Sequence, residues 1–231
     1  MAETWHRRRA VEYAQEKGEV RRAFPQLHFF ADANVIIRGG FPVTLSGKVI
    51  DRFQLEIILS TRYPEEVPTV REIGGRIPRI ADRHTESNGD ACLFIPEEAA
   101  VHFPPGSTLL AFLQGPVNSF FVSQLYFEEF GAWPFGEWGH GTKGTLEFYA
   151  RRIGFSEPRI IFSFIDYLTR EEVKGHWPCP CGSGKMLRKC HRDKVMELRA
   201  EISRIVASRS FERLVRSASQ RGVVKDDLSV G

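Results

Sequence analysis

The sequence predicts an α+β fold, and three observations carry that prediction. Residues 5–24 read as a helix. The next fifty residues break into short extended segments whose connections are too short to hold crossover helices, so the strands pair antiparallel. Beyond Cys92 the patterning returns to helix, and helices segregated in sequence from an antiparallel sheet make an α+β chain.

The first helix rests on a partial apolar stripe of Ala10, Val11, Ala14, Val20, Ala23 and Phe24. "LHFFADANVII" follows, bounded by Gly39-Gly40, and then "FPVTLSGKVI". "FQLEIILS" alternates cleanly and puts Phe53, Leu55, Ile57 and Leu59 on one face. "TRYPEEVPTVREI" holds two prolines, which confine it to a loop entering an edge or late strand. After Cys92, "STLLAFLQGPVNSFFVSQLYFEEF" reads as a helix with Ser107 as N-cap, kinked or split at Gly115-Pro116. "WPFGEWGHGTKG" is a loop, and "TLEFYARRI" and "PRIIFSFIDYLTREEV" are two further helices. The body is expected to close near Lys174, giving domains 1–174 and 175–231.

Composition narrows the class. Hydrophobic residues at 42% and charged residues at 26% suit a globular protein, and 18 Phe with 4 Trp can fill a core. No apolar run reaches membrane-spanning length, and the arginines near the N-terminus precede no apolar stretch of a secretion signal. A cytoplasmic, reducing location is therefore expected, where cysteines serve metals or catalysis more than disulfides. The net charge of +3 is uneven: from Lys185 onward 12 Lys and Arg face 6 Asp and Glu, and the preceding 184 residues carry the remaining 20 and 23. Such a basic tail can bind nucleic acid or an acidic protein face, or be a solvated helix surface.

The most specific signal is "WPCPCGSGKMLRKCHRD". Cys179, Cys181, Cys190 and His191 supply three thiolates and an imidazole, the donor set of a closed tetrahedral structural zinc site. Gly-Ser-Gly between the pairs lets the chain turn tightly, and Lys185, Arg188 and Lys189 temper the negative charge. "CPCGSGKMLRKCH" resembles the SecA C-terminal-type (SEC-C) zinc-binding motif, which implies a small adaptor for protein contacts. A helix with Val195, Leu198, Ile202 and Ile205 on one stripe follows, packed on the rest of the protein or docking a partner.

Cys92 stands apart in "RHTESNGDACLFIPEE". An isolated cysteine is often a buried hydrophobe, but this one is approached through a polar, turn-forming stretch, where cysteines near cations, histidines or free amides become reactive. His84, His102 and His140 are possible neighbours. At this point the chain resembles the ubiquitin-conjugating (UBC) family over residues 5–172. The order of elements is that family's order. "YPEEVPTV" resembles its Tyr-Pro-x-x-x-Pro-x-Val loop through Tyr63, Pro64, Pro68 and Val70, and "NGDACL" its Asn-Gly-x-x-Cys-Leu through Asn88, Gly89, Cys92 and Leu93. "GAWPFGEWGHGTKGTLEFY" is similar to bacterial members found in antiphage and ubiquitin-like conjugation operons.

The resemblance implies a nucleophile at Cys92 that takes an activated C-terminal carboxyl as a thioester and passes it to a lysine amine. The family's His-Pro-Asn triplet is missing; His84 stands eight residues before Cys92, where that asparagine would stabilise the oxyanion. Asn88 joins it as a candidate through the motif, and Asp90 either orients or deprotonates the amine or serves the turn. His140 is the candidate of a packed loop. The implied partners are a ubiquitin-like protein or the C-terminal tail of a cyclic-oligonucleotide synthase, with an activating enzyme alongside. A catalytically inactive UBC-like adaptor with a zinc finger is the alternative, and a cysteine hydrolase without a recognisable signature ranks last.

Overall fold

The computed structural model describes residues 4–134 and 142–220, and the chain divides into two compact units. The first comprises Met1–Phe94 with Val101–Gly136, the second Ile95–Ala100 with Glu137–Gly231. This division differs from a boundary at residue 174: the helices of 142–169 belong with the Cys/His segment, and so does a short strap taken from just beyond Cys92.

The first unit opens with helices α1 (Trp5–Arg8) and α2 (Ala10–Ala23), separated at Arg9, whose ψ of 53° leaves the helical region. The break lets Trp5 bury against Tyr63, ring centroids 4.7 Å apart. Of the expected stripe, Val20 and Phe24 at the C-terminal end are buried, whereas Val11 is 80% exposed. Between them Glu16 of the same helix accepts hydrogen bonds from the Tyr63 hydroxyl and the Leu109 amide. Polar anchoring replaces apolar burial along that half of the helix.

Strands β1 (Leu27–Ala31), β2 (Val35–Leu45), β3 (Lys48–Leu59) and β4 (Thr69–Glu72) form an antiparallel meander in the order β1-β2-β3-β4. The alternation of Phe53, Leu55, Ile57 and Leu59 is realised, and all four are buried. Two sequence boundaries move. Gly39-Gly40 lies inside β2, with Gly39 paired to Leu27 and Leu55, and the turns fall at 32–34 and at Ser46-Gly47. Gly39 answers a close approach: a Cβ there would stand 1.9 Å from the Gln26 carbonyl oxygen.

After the Cys92 region come α3 (Ala99–His102), α4 (Leu109–Phe112) and α5 (Asn118–Phe130). The N-cap of α4 is Thr108, whose hydroxyl accepts from the Ala111 amide, so Ser107 sits one residue outside. Pro116 neither splits nor ends the helix, because Leu113–Val117 widens into a π-helical turn between α4 and α5. Phe121 of α5 closes the core against Phe53 and Phe41, at 4.7 and 6.1 Å between ring centroids.

The second unit packs α6 (Thr142–Ile153), α7 (Pro158–Thr169), α8 (Arg192–Glu201) and α9 (Arg204–Gln220) around Phe148, Tyr149, Phe164, Ile165, Leu187, Val195 and Leu198. Arg199 donates to the carbonyls of Tyr167, Arg170 and Glu171 and so satisfies the C-terminal end of α7. The expected single stripe through Ile205 ends at Ile202, which is buried but extended (ψ 116°). Ser203 restarts the chain as α9, its Oγ accepting from the Val206 amide, and Ile205 is left 56% exposed.

Candidate functional site at Cys92 and candidate metal centre

Residues 84–92 form a short hairpin on the first unit. Thr85 and Ala91 are bridged across it, the Cys92 amide donates to the His84 carbonyl (2.8 Å), and the Glu86 amide donates to the Asp90 carbonyl (2.9 Å). Side chains alternate across such a ladder. Thr85 is buried, its hydroxyl bonded to the Pro78 and Arg83 carbonyls, and Ala91 packs on the core. The alternate positions Glu86, Asp90 and Cys92 share the other face, where both carboxylates act on the thiol. The hairpin is pinned at both ends. The Ala91 amide donates to the Val70 carbonyl, and Arg83 and the buried Gln124 of α5 exchange hydrogen bonds.

Cys92 is exposed and is not in a disulfide. Its thiol donates to Glu86 Oε1 at 3.8 Å. Enclosure of the sulfur by the loop, then the charges of Glu86 and Asp90, push the thiol up to about 11. Asp90 is already engaged: Oδ1 accepts from Arg71 Nε (2.5 Å) and Oδ2 from Asn88 Nδ2 (2.8 Å). Asn88 Oδ1 in turn accepts from the Asp90 amide, so Asn88 builds the turn. The turn needs Gly89, with φ 90° and Arg79 Nε 3.2 Å from where a Cβ would stand.

His84 adopts left-handed backbone (φ 47°), uncommon for a side-chain-bearing residue and worth noting beside a candidate nucleophile. Its ring stands edge-on to Trp133, centroids 4.5 Å apart. His102 stacks on Phe94 (4.9 Å), and His140 lies outside the described residues. The sequence reading missed Glu86, the carboxylate that reaches Cys92, although it stands on the same parity as His84, Asp90 and Cys92. It also missed Arg71, which ties Asp90 down.

In the second unit, the donor atoms of Cys179, Cys181, Cys190 and His191 lie within 4.8 Å of one another and could bind a metal ion. The knuckle is made by a Pro178–Met186 bridge, the Cys179 amide donating to the Lys185 carbonyl, and left-handed Gly182 and Gly184 (φ 74° and 73°). A 3₁₀ turn, Leu187–Lys189, delivers Cys190 and His191 at the start of α8. The His191 ring packs edge-on to Phe155 and Phe164, and the Tyr167 hydroxyl donates to the Pro178 carbonyl (2.5 Å). Burial pushes the Cys179 thiol up to about 11. Burial acts the same way at Cys181, but the Ser183 hydroxyl and amide and the adjacent thiols overcome it and lower that group to about 6.

No protein-family model, no curated protein and no solved structure matches the chain. Among the described residues no helix is long and apolar enough to cross a membrane.

Proposed function

We propose that the chain is a UBC-like acyl carrier of bacterial antiphage defence, with Cys92 as nucleophile and a structural zinc ion at the Cys/His knuckle. The observation that carries the reading is the hairpin around Cys92, where an exposed thiol stands with Glu86 and Asp90 on a pinned turn. In the first step Sγ bonds to the activated C-terminal carbonyl carbon of a ubiquitin-like protein or a synthase tail. The activating group departs, and the thiol proton passes to solvent. In the second step a lysine amine attacks that carbon, the C–S bond breaks, and the thiolate leaves.

The amine acquires positive charge as it bonds, so its N–H becomes acidic and needs an acceptor. Glu86, 3.8 Å from Sγ, is placed for that transfer. Asp90, held by Arg71 and Asn88, is better suited to fixing the turn. His84 is retained as the oxyanion donor by its place eight residues before Cys92.

Zinc is favoured by donor type and spacing. Zinc–sulfur bonds of about 2.3 Å in a tetrahedron set sulfur atoms about 3.8 Å apart; Cys181 and Cys190 Sγ are separated by 3.7 Å. Bound there, zinc crosslinks the knuckle and leaves no open coordination position.

The second reading, an inactive UBC-like adaptor, is favoured by the carboxylates that disfavour the Cys92 thiolate. Incubating Cys92→Ser protein with the cognate activated partner separates the two. The acyl-carrier reading expects a thiol-resistant oxyester on residue 92 by mass spectrometry; no acylation of either Cys92 or the serine variant supports the adaptor.

A further inference from the structure

The register of the sheet sets four charged side chains in one row. Arg38 of β2 pairs with Glu56 of β3, Glu56 with Arg71 of β4, and Arg71 is bridged to Asp90 of the Cys92 hairpin. Signs alternate along the row, and each member is bonded to the next. Glu56 Oε2 accepts from Arg38 Nε (2.7 Å), Glu56 Oε1 from Arg71 Nη1 (3.3 Å), and Asp90 Oδ1 from Arg71 Nε (2.5 Å). All four residues belong to the first unit, as does Cys92, two positions beyond Asp90.

Ion pairs on an open sheet face contribute little to stability, so the row calls for a use beyond holding strands together. The Glu56 side chain is only 11% exposed, against 32% for Arg71 and 30% for Asp90. A carboxylate so enclosed is costly to leave unpaired, which keeps the Arg71 guanidinium between two carboxylates with one nitrogen aimed at each. At the thiol, the charges of Glu86 and Asp90 both oppose ionisation. Arg71 is bonded to one of the two, and Arg79, whose guanidinium lies against Gly89, is a second cation at the turn. Unopposed, two carboxylates beside one sulfur keep it protonated, and a cation bonded to Asp90 offsets one of them.

We propose that Arg71, aimed by Glu56, is a positioning residue for the Cys92 site, holding the Asp90 carboxylate in place and offsetting its charge beside the sulfur. The inference deepens the acyl-carrier reading and rests on Cys92 being the reactive centre. That chemistry needs a thiolate twice, as the nucleophile in loading and as the leaving group in discharge. Arg71 eases both, while Asp90 keeps its bond to Asn88 and with it the shape of the turn. Glu56 draws part of the guanidinium charge toward the sheet, and Arg38 in turn offsets part of the charge on Glu56. The row thereby sets how much positive charge is left for Asp90 and the sulfur.

The test is the rate of Cys92 alkylation by iodoacetamide as a function of pH, followed on the Cys92 peptide of the whole chain, with folding checked by circular dichroism. Losing a positive neighbour disfavours the thiolate. Arg71→Met should therefore move the profile up by about half a pH unit or more, about threefold less thiolate at a given pH. Asp90→Asn should move it down, and Glu56→Gln down by less, since Glu56 lies one strand further away. The double variant Arg71→Met with Asp90→Asn removes both charges of the pair and should return to within about twofold of wild type. Damage to the fold would accumulate instead. Should Arg71→Met fail to fold, Arg71→Gln takes its place. Superimposable wild-type and Arg71→Met profiles, or a double variant displaced as far as Arg71→Met alone, would overturn the proposal and leave the row a sheet contact. Alkylation needs no acyl partner. Failure to form an adduct with the activated partner would therefore sink the acyl-carrier reading separately.

Discussion

The thiol of Cys92 faces two carboxylates, and each makes its thiolate harder to form. Glu86 is the closer and carries no other bond from its side chain among those described, so its charge is the easier to remove. Glu86→Gln should lower the thiol from about 11 toward the ordinary cysteine range. Removing a negative neighbour favours the charged form, so alkylation of Cys92 at pH 8 should speed up. Discharge to lysine should slow in the same variant if Glu86 takes the amine proton, and that opposite pair of effects distinguishes a base from a mere neighbour. An unchanged alkylation profile would detach Glu86 from the thiol altogether. His84 makes a different prediction. His84→Ala should load Cys92 normally and discharge slowly, by about 100- to 1000-fold if a single oxyanion donor is lost. Normal discharge with failed loading would remove His84 from the oxyanion role.

At the scale of elements, the period-two run Phe53–Leu59 placed a buried strand correctly because one face of a sheet reads directly as alternation. Gly39-Gly40 misled as a turn signal, since a glycine demanded by a close backbone approach looks the same in sequence as one demanded by a turn. The first helix misled for another reason: Glu16 buries through hydrogen bonds, which an apolar count does not see. The knuckle was the most legible site, because all four donors lie within thirteen residues. The Cys92 face was half legible: its hairpin is short enough to show the cysteine, while Glu86 becomes a partner only through register. For the knuckle, elemental analysis should find one zinc per chain, absent in the double variant Cys181→Ser with Cys190→Ser. Equal zinc in that variant would refute the ligand assignment. Acidification should release the metal, as protons compete for His191 and the thiolates.

Across the whole molecule, the Cys/His knuckle belongs to a helical unit, and the effect of losing a metal bound there should not be confined to a terminal tail. Leu187, Val195 and Leu198 share a core with Phe148, Phe164 and Ile165, so an emptied knuckle withdraws packing from α6 and α7 as well. Hydrogen exchange with and without a chelator should show lost protection in α6–α9 and retained protection in β2 and β3. Equal loss in the sheet would contradict that division. The central claim concerns the other unit. It is tested most directly by non-reducing electrophoresis of wild type and Cys92→Ala after incubation with the cognate activated partner, with and without dithiothreitol. A wild-type adduct that dithiothreitol removes, missing from Cys92→Ala protein of unchanged fold and metal content, is the predicted result. The same thiol-sensitive adduct persisting in Cys92→Ala would contradict the account and move the reactive centre to the cysteines of the knuckle.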